Sequence, residues 1–203
     1  MEVNRRIAAI HSVGMYEIGD FLSTFMKSYP KIHIHLEFRR SDEIYSLLLT
    51  ERIDIGVVAY PEKRTRIEAL PLGQDELVLI VDKNHPLWGK KSIKLEDIHT
   101  EPFVAFEEGI PTREAIDQML IEKGVDIDIR MTNDNIYTLK RVVAAGIGVS
   151  IVPTSSVDEE VSNGLLCRVK IRDINLYRPL SLLKLKKNNN NIYILICFSQ
   201  ENE

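Results

Sequence analysis

The spacing of apolar residues along the chain alternates between the period of a strand and the period of a helix. From Ile32 to Phe38 apolar and polar residues alternate, which predicts a half-buried strand. Between Ile18 and Met26 apolar residues recur at helical spacing, and the apolar run from Ile53 to Ala59 predicts a buried strand. Strand-like and helix-like segments continue to alternate, which favours an α/β fold with mostly parallel sheets.

The predicted elements fall into two blocks. Strands are predicted at residues 6–10, 32–38, 53–59, 70–72, 77–81, 103–106, 127–131 and 149–152, and helices at 18–26, 41–49, 112–123 and 135–145. The polar segment 82–86 marks a crossover, and the last part, 165–198, is expected to hold two strands and a final helix that return to the first sheet. We therefore predict two Rossmann-like α/β lobes joined by two crossover strands: residues 1–83 plus 160–203 form lobe I, and residues 84–159 form lobe II.

Composition and charge fit an ordinary globular domain. The 203 residues are 44% apolar and 28% charged, with a net charge of −4. No stretch is basic enough to bind phosphates, so we do not expect this chain alone to bind nucleic acid. Cys167 and Cys197 lie outside any CxxC spacing, which favours reduced thiols in a cytoplasmic protein. The N-terminus lacks a secretory h-region and no apolar run reaches membrane-spanning length, so no membrane partner is expected.

The first candidate binding segment is the turn after the first strand. In open α/β sheets, ligands sit at the carboxyl ends of strands, where helix N-termini present free N–H groups. His11, Ser12, Val13 and Gly14 form such a turn, in which the glycine would let a ligand approach the backbone. Ser12 either contacts a ligand or serves only as a helix N-cap.

The second candidate segment opens the helix predicted at 112–123. Pro111 suits a first helical position, and Thr112 either caps the helix or faces the cleft. Arg113 opposes the helix dipole, so a nearby anion should compensate its charge. That anion is either a ligand or one of the neighbouring carboxylates, Glu107, Glu108 or Glu114. On the ligand hypothesis, Arg113→Ala weakens anion binding and leaves the fold intact.

Further turns complete the predicted site. Asn135 precedes a helix and offers an amide, for which capping is the simpler role. Backbone groups near Ala59, Phe106 and Gly148 are expected to complete the pocket. Gly148 belongs to the Gly146-Ile-Gly148 pair, which follows a predicted helix and precedes a predicted strand. A dinucleotide-binding turn has the reverse order, strand before helix, so the pair is also interpreted as a helix stop and turn.

Catalytic and metal signals are weak in this sequence. His33 and His35 lie on one face of a predicted strand, but no third ligand is placed beside them, and a surface or dimer-contact role is the simpler interpretation. No nucleophile elbow, P-loop or HExxH pattern occurs. We therefore predict no catalytic residue, no metal site and no cofactor.

Consecutive stretches of the chain also resemble the effector-binding domain of LysR-type transcriptional regulators. In order along the chain they are YEIGDFLSTFMKSYP, IHIHLEF, LLLTERIDIGVVAYP, LPLGQDELVLIVDKNHPL, SIKLEDIHTEPFVAF, TLKRVVAAGIGVSIVP and RPLSLLKLKK. The resemblance covers nearly the whole chain and lies in the order and spacing of the segments. It implies a type 2 periplasmic-binding-protein-like fold, a small-molecule effector in the cleft between the lobes, and a homodimer built from the first helix and second strand against the second lobe.

The resemblance also implies a missing part. Complete family members carry an N-terminal winged helix-turn-helix, and the matching segment begins here near Arg6. We expect an excised domain with an added start methionine, or else a natural truncation. Such a chain senses its ligand, whereas DNA binding, and tetramer formation, belong to the full-length protein.

A narrower resemblance concerns the effector. The segments IHSVG, LEFRR, GIPTREAID and NDNIYTLKRVVAAG resemble regulators of carbon fixation and inorganic-carbon uptake. Such regulators are associated with phosphorylated sugars, 2-phosphoglycolate or 2-oxoacids, so the expected ligand is a small anion. The alternatives are a free-standing solute-binding receptor of a transporter, which needs export, and an enzyme, which needs an acid, base or nucleophile in the cleft. The identity of the effector, the sense of regulation and the target genes stay open.

Overall fold

The computed structural model describes residues 3–16 and 18–187. In this part of the chain the strands are β1 (Val3–Ala9), β2 (Ile32–Phe38), β3 (Ile55–Ala59), β4 (Ile67–Asp82), β5 (Ser92–Ile93), β6 (Pro102–Phe106), β7 (Asp128–Asn133), β8 (Ser150–Pro153), β9 (Leu166–Ile171) and β10 (Tyr177–Leu185). The α-helices are α1 (His11–Tyr16), α2 (Gly19–Ser28), α3 (Ser41–Leu49), α4 (Pro111–Lys123), α5 (Ile136–Ala144) and α6 (Asp158–Ser162). Short 3₁₀ helices lie at Leu95–Ile98 and Thr154–Val157.

The chain forms two compact units. Unit 1 holds Met1–Gln74 and Pro179–Glu203, and unit 2 holds Asp75–Arg178. The chain leaves unit 1 within β4 and returns to it within β10. Strands and helices alternate in both units, which confirms the predicted α/β architecture. The pairing is more mixed than the expected parallel sheets, because β10, β8 and β9 all join their neighbours antiparallel.

Unit 1 is a sheet with helices on both faces. Its strand order is β2-β1-β3-β10-β4, and β1 pairs parallel with both β2 and β3. One face packs against α1 and α2 through residues such as Val13 and Phe25, and the other packs against α3 through Ile44 and Leu48. Gly56 allows α3 to approach β3, since a Cβ there would lie 2.5 Å from Ile44 Cγ2.

Unit 2 is built around the second half of β4. This half pairs antiparallel with β8 and with β9, and β5 pairs parallel with β9. β6 and β7 form a separate parallel pair, which is tied to the rest by Val104, whose N–H donates to the Val149 carbonyl at 2.8 Å. The carboxyl ends of β6 and β7 therefore lie side by side, just before α4 and α5.

The structure contains α1 and β5, which the spacing does not predict, and it differs from the predicted elements elsewhere as well. The strands expected at 70–72 and 77–81 are one strand, β4, which continues through an exposed polar stretch. The strand from Leu166, expected to return to the first sheet, is β9, which pairs antiparallel with the unit 2 half of β4 and carries the fully buried Val169. Ser41, predicted to cap a helix, is the first residue of α3, and Arg40 is its N-cap. The predicted final helix lies after residue 187, outside the described residues.

Within residues 3–16 and 18–187, the helices are all too short or too polar to cross a lipid bilayer.

Candidate functional site

The predicted turn after β1 is a short helix. Val13 and Gly14 both direct their N–H groups to the Ile10 carbonyl, at 3.2 and 3.0 Å, so α1 already begins at His11. Ser12 is therefore a first-turn residue, and the N-cap interpretation of Ser12 is wrong. Gly14 also has a packing role that the sequence did not predict. A Cβ at Gly14 would overlap the ring of Phe38, so the glycine serves packing between α1 and β2.

The carboxyl edge of the unit 1 sheet brings several predicted residues together. β1 and β3 are parallel neighbours, so His11 and Ser12 follow one strand and Ala59 ends the next at the same edge. The His11 ring stacks on Phe38 with centroids 5.1 Å apart, and Ser12 is half-buried. Val13, by contrast, is fully buried in the core, where it can offer only backbone groups to a ligand.

Tyr60 is the functional candidate that the pattern did not reveal. It follows Ala59 with φ of +50°, a left-handed conformation that costs a non-glycine residue of order 1–3 kcal/mol. Its N–H donates to the Pro179 carbonyl at 2.8 Å, which fixes this bend at the end of β3. Strained residues concentrate at ligand sites, and the aromatic-proline pair Tyr60-Pro61 was the sequence signal for a sharp stop here.

Tyr45 of α3 anchors the loop that follows Tyr60. The Glu62 N–H donates to Tyr45 Oη at 2.6 Å, and the Arg64 guanidinium lies 4.7 Å from the centroid of the Tyr45 ring. Burial raises the pKa of Tyr45, so its hydroxyl stays neutral and keeps its role as an acceptor. The loop at the edge of the unit 1 sheet is therefore held in one position.

In unit 2, the corresponding edge carries the start of α4. Pro111 is the first helical residue, as predicted, and Ile110 is the N-cap without a side-chain hydrogen bond. Thr112 is thus not a cap. It is only 4% exposed, yet its hydroxyl has no hydrogen-bond partner among the described residues. The N–H groups of Thr112 and Arg113 belong to the first turn, which leaves them without partners inside the helix.

Arg113 is engaged by the protein itself. Its guanidinium is buried, with Nε 2.7 Å from both carboxylate oxygens of Asp117 and Nη1 2.7 Å from the Phe106 carbonyl oxygen. The compensating carboxylate is therefore Asp117, one turn along α4, and not Glu107, Glu108 or Glu114 as considered from the sequence. Because Phe106 ends β6, Arg113 fixes the helix start on the strand end.

Asn135 and Gly148 have clear local roles. Asn135 is the N-cap of α5, where its Oδ1 accepts the Tyr137 N–H at 2.9 Å, as the capping interpretation predicted. Gly148 packs against a backbone: a Cβ there would overlap the Pro102 carbonyl oxygen and lie 2.7 Å from its carbon. Only glycine lets Val149 donate to the Pro102 carbonyl at 2.8 Å, which holds β6 beside the start of β8.

The metal hypothesis gains no support from the fold. His33 and His35 are both exposed on β2. In the part of the chain that the structure describes, His, Cys, Asp and Glu form no group of three that is suited to hold a metal ion.

Comparison with known families and sequences finds similarity to transcriptional regulators. The model of the LysR substrate binding domain matches residues 5–191. A probable RuBisCO transcriptional regulator from Emiliania huxleyi is 30% identical over 183 residues, which are 87% of this chain and 58% of that protein. The HTH-type transcriptional regulator CysL of Bacillus subtilis is 26% identical over 199 residues, which are 97% of this chain and 67% of CysL. The chain thus spans roughly 58–67% of the length of these relatives.

Solved structures show the same fold. The regulatory domain of Synechocystis CcmR in complex with 2-PG superposes with a TM-score of 0.87 at 22% identity, covering 97% of this chain and 96% of that one. The effector-binding domain of QuiR in complex with shikimate gives 0.87 at 23% identity, covering 99% and 97%. The predicted periplasmic-binding-protein-like fold of type 2 is therefore confirmed.

Proposed function

Because the chain belongs to the LysR substrate-binding domain family, we propose that it is the ligand-sensing part of a transcriptional regulator. The proposal is of binding and not of catalysis, in keeping with relatives that are named as transcriptional regulators. The relatives extend well beyond the matched region, and DNA binding by the whole regulator is assigned to that additional part.

The proposed binding site rests mainly on the position and hydrogen bonding of the Thr112 side chain. Thr112 lies in the first turn of α4 and is 4% exposed as a residue, and its hydroxyl makes no hydrogen bond to another described residue, so it is available to a ligand oxygen. The free N–H groups of the first turn of α4 favour an anion at the same place. Within unit 1 we propose Ser12 and backbone groups near Ala59 as ligand contacts, and within unit 2 we add backbone groups near Phe106 and Gly148 to Thr112.

The effector class follows from the same features and from the relatives. A phosphate or carboxylate suits the α4 N-terminus, where N–H donors converge. Relatives named as RuBisCO regulators and a CcmR domain in complex with 2-PG support a small anion of carbon metabolism. Arg113 is not assigned as the main cation for this anion, since Asp117 already neutralises it. It acts by holding α4 and its N–H groups in place.

The proposal is tested by thermal shift and calorimetry against 2-phosphoglycolate, ribulose bisphosphate, 2-oxoglutarate, citrate, NADPH and shikimate. A ligand at about 100 times its Kd should stabilise the fold by roughly 2.7 kcal/mol. Thr112→Val should weaken binding about tenfold, because it removes a hydrogen bond of about 1.5 kcal/mol to an anion and preserves shape.

The control for Thr112→Val is Thr132→Val, which changes an exposed threonine on β7 of the same unit. Arg113→Ala is not a clean test, because it also removes the buried contacts to Asp117 and Phe106. Equal affinity in Thr112→Val and Thr132→Val would remove Thr112 from the site. No stabilisation by any of the six compounds would contradict the carbon-metabolism effector.

We also propose a homodimer that uses α2 and β2. Met26 and Tyr29 expose large apolar surfaces at the end of α2, and His33 and His35 lie exposed on the adjacent strand. Sedimentation should show a dimer for the parent chain, and Met26→Glu should shift it towards the monomer, because a charge at an apolar contact is costly to bury. A monomer at all concentrations, or an unchanged dimer in Met26→Glu, would contradict this surface.

A further inference from the structure

A pocket lies within unit 2, away from the segments assigned to the effector. It opens between α5 and the chain around α6, with a volume of about 370 Å³. The lining side chains come from one stripe of α5 and from the α6 region: Tyr137, Lys140, Arg141, Ala144, Ala145, Glu159, Glu160, Asn163 and Leu165. This volume falls in the range of small-molecule sites, about 300–1,000 Å³.

The floor of the pocket is a buried ion pair with an unsatisfied oxygen. Lys140 Nζ lies 2.6 Å from Glu160 Oε1 and donates to the Ser156 carbonyl at 2.5 Å. The second carboxylate oxygen, Glu160 Oε2, is buried and has no hydrogen-bond partner in the described part of the chain. An unsatisfied charged acceptor is costly, and a shift of the Glu160 side chain towards the pocket would expose Oε2 to a ligand N–H donor.

The rim of the pocket carries two opposite charges that do not pair with each other. Arg141 and Glu159 are exposed, and neither side chain has an ion pair or hydrogen bond with another residue in the described ranges. Arg141 therefore offers a free guanidinium for a carboxylate. Glu159, together with Glu160, offers acceptors for an ammonium group. The charge pattern of the pocket is complementary to a zwitterion.

Apart from Asn163, the remaining wall is apolar. Leu165 and Tyr137 are each about half exposed, at 49% and 52%, and Ala144 and Ala145 also line the pocket. We propose that this pocket binds an α-amino acid with an aliphatic side chain. Its carboxylate pairs with Arg141, its ammonium group donates to Glu159 and Glu160, and its side chain packs on Leu165.

The test is an amide NMR titration of the whole chain with leucine, valine and methionine as probes. At least one of them should shift the amide signals of α5 and α6 and leave those of α1 and the start of α4 unchanged. Two analogues of leucine separate the charges: 4-methylpentanoate lacks the ammonium group, and 3-methylbutylamine lacks the carboxylate. Each should bind about tenfold more weakly than leucine, since each loses one charged hydrogen-bonding group.

Variants test which residues of the pocket bind the amino acid. Arg141→Ala and Glu159→Gln alter exposed side chains and should each weaken amino-acid binding about tenfold. The control Arg130→Ala removes an exposed arginine from β7 of the same unit and should leave amino-acid binding unchanged. Absence of α5 and α6 shifts with all three amino acids, or equal affinity for leucine and both analogues, would overturn the proposal. Thr112→Val, which tests the effector site, should not change these shifts, so the two sites are judged separately.

Discussion

Replacing Lys140 by methionine is expected to lower the free energy of unfolding by about 3 kcal/mol, the lower end of the range for breaking a buried ion pair. Lys140 is 1% exposed, so its ammonium group depends on Glu160 and on the Ser156 carbonyl for its stability. Methionine fills most of the space but leaves the Glu160 carboxylate without its cation. Because that carboxylate is 15% exposed, water can offset part of the loss. Chemical denaturation followed by circular dichroism measures the change.

Two further variants identify the cause of the loss in Lys140→Met. Arg168→Met breaks a pair with Asp158 in which both side chains are well exposed, so the change should stay within about 1 kcal/mol. The double variant Lys140→Met/Glu160→Leu removes both charges and should recover much of the stability, since a matched apolar pair is often as stable as a buried ion pair. A Lys140→Met variant as stable as Arg168→Met would show that the pair contributes little.

Elements with a strong local pattern were well predicted from the sequence. The alternation from Ile32 to Phe38 matches β2 at both ends, and α4 begins at Pro111, the residue expected to suit the first helical position. Burial of one face dictates such patterns, so they are visible without tertiary information. The segment after β1 was expected to be a turn and is the helix α1. His11–Tyr16 is only six residues long, which is too short for helical periodicity to show.

Strand pairing was harder to predict from the sequence. β9 carries a buried face, but nothing in residues Leu166–Ile171 specifies whether that face completes the first or the second sheet. The partner is fixed by antiparallel pairing with β4, a contact between segments about 85 residues apart. Long-range choices of this kind depend on competing surfaces and not on local spacing.

The site residues show the same division between local and distant interactions. The Asn135 cap and Pro111 at the start of α4 were predicted because both depend on the few residues that follow. The Arg113–Asp117 pair was not predicted although its i,i+4 spacing is visible in the sequence, because the candidate partners were the carboxylates nearest to Arg113 along the chain, Glu107, Glu108 and Glu114. The Lys140–Glu160 pair joins two helices, and the sequence holds no signal that brings them together.

Arg178→Met is expected to lower the free energy of unfolding by about 3–5 kcal/mol, the range for breaking a buried ion pair. Arg178 is 0% exposed, and its Nη2 lies 3.2 Å from Asp75 Oδ2. Asp75 is 11% exposed and also accepts the Ser155 hydroxyl at 2.7 Å, so water can replace little of the lost cation. The control Arg172→Met changes an exposed arginine six residues earlier and should have a small effect.

The location of this pair predicts where the damage from Arg178→Met should appear. Asp75 and Arg178 are the first and last residues of unit 2, so their contact joins β4 and β10 where the chain enters and leaves that unit. Hydrogen exchange should accelerate in β8, β9 and the second half of β4, because Ser155 and these strands share the unit, whereas β1 and β3 should keep their protection. Uniform acceleration across both units would mean that they unfold as one cooperative body, and an unchanged pattern with unchanged stability would show that the buried pair is dispensable.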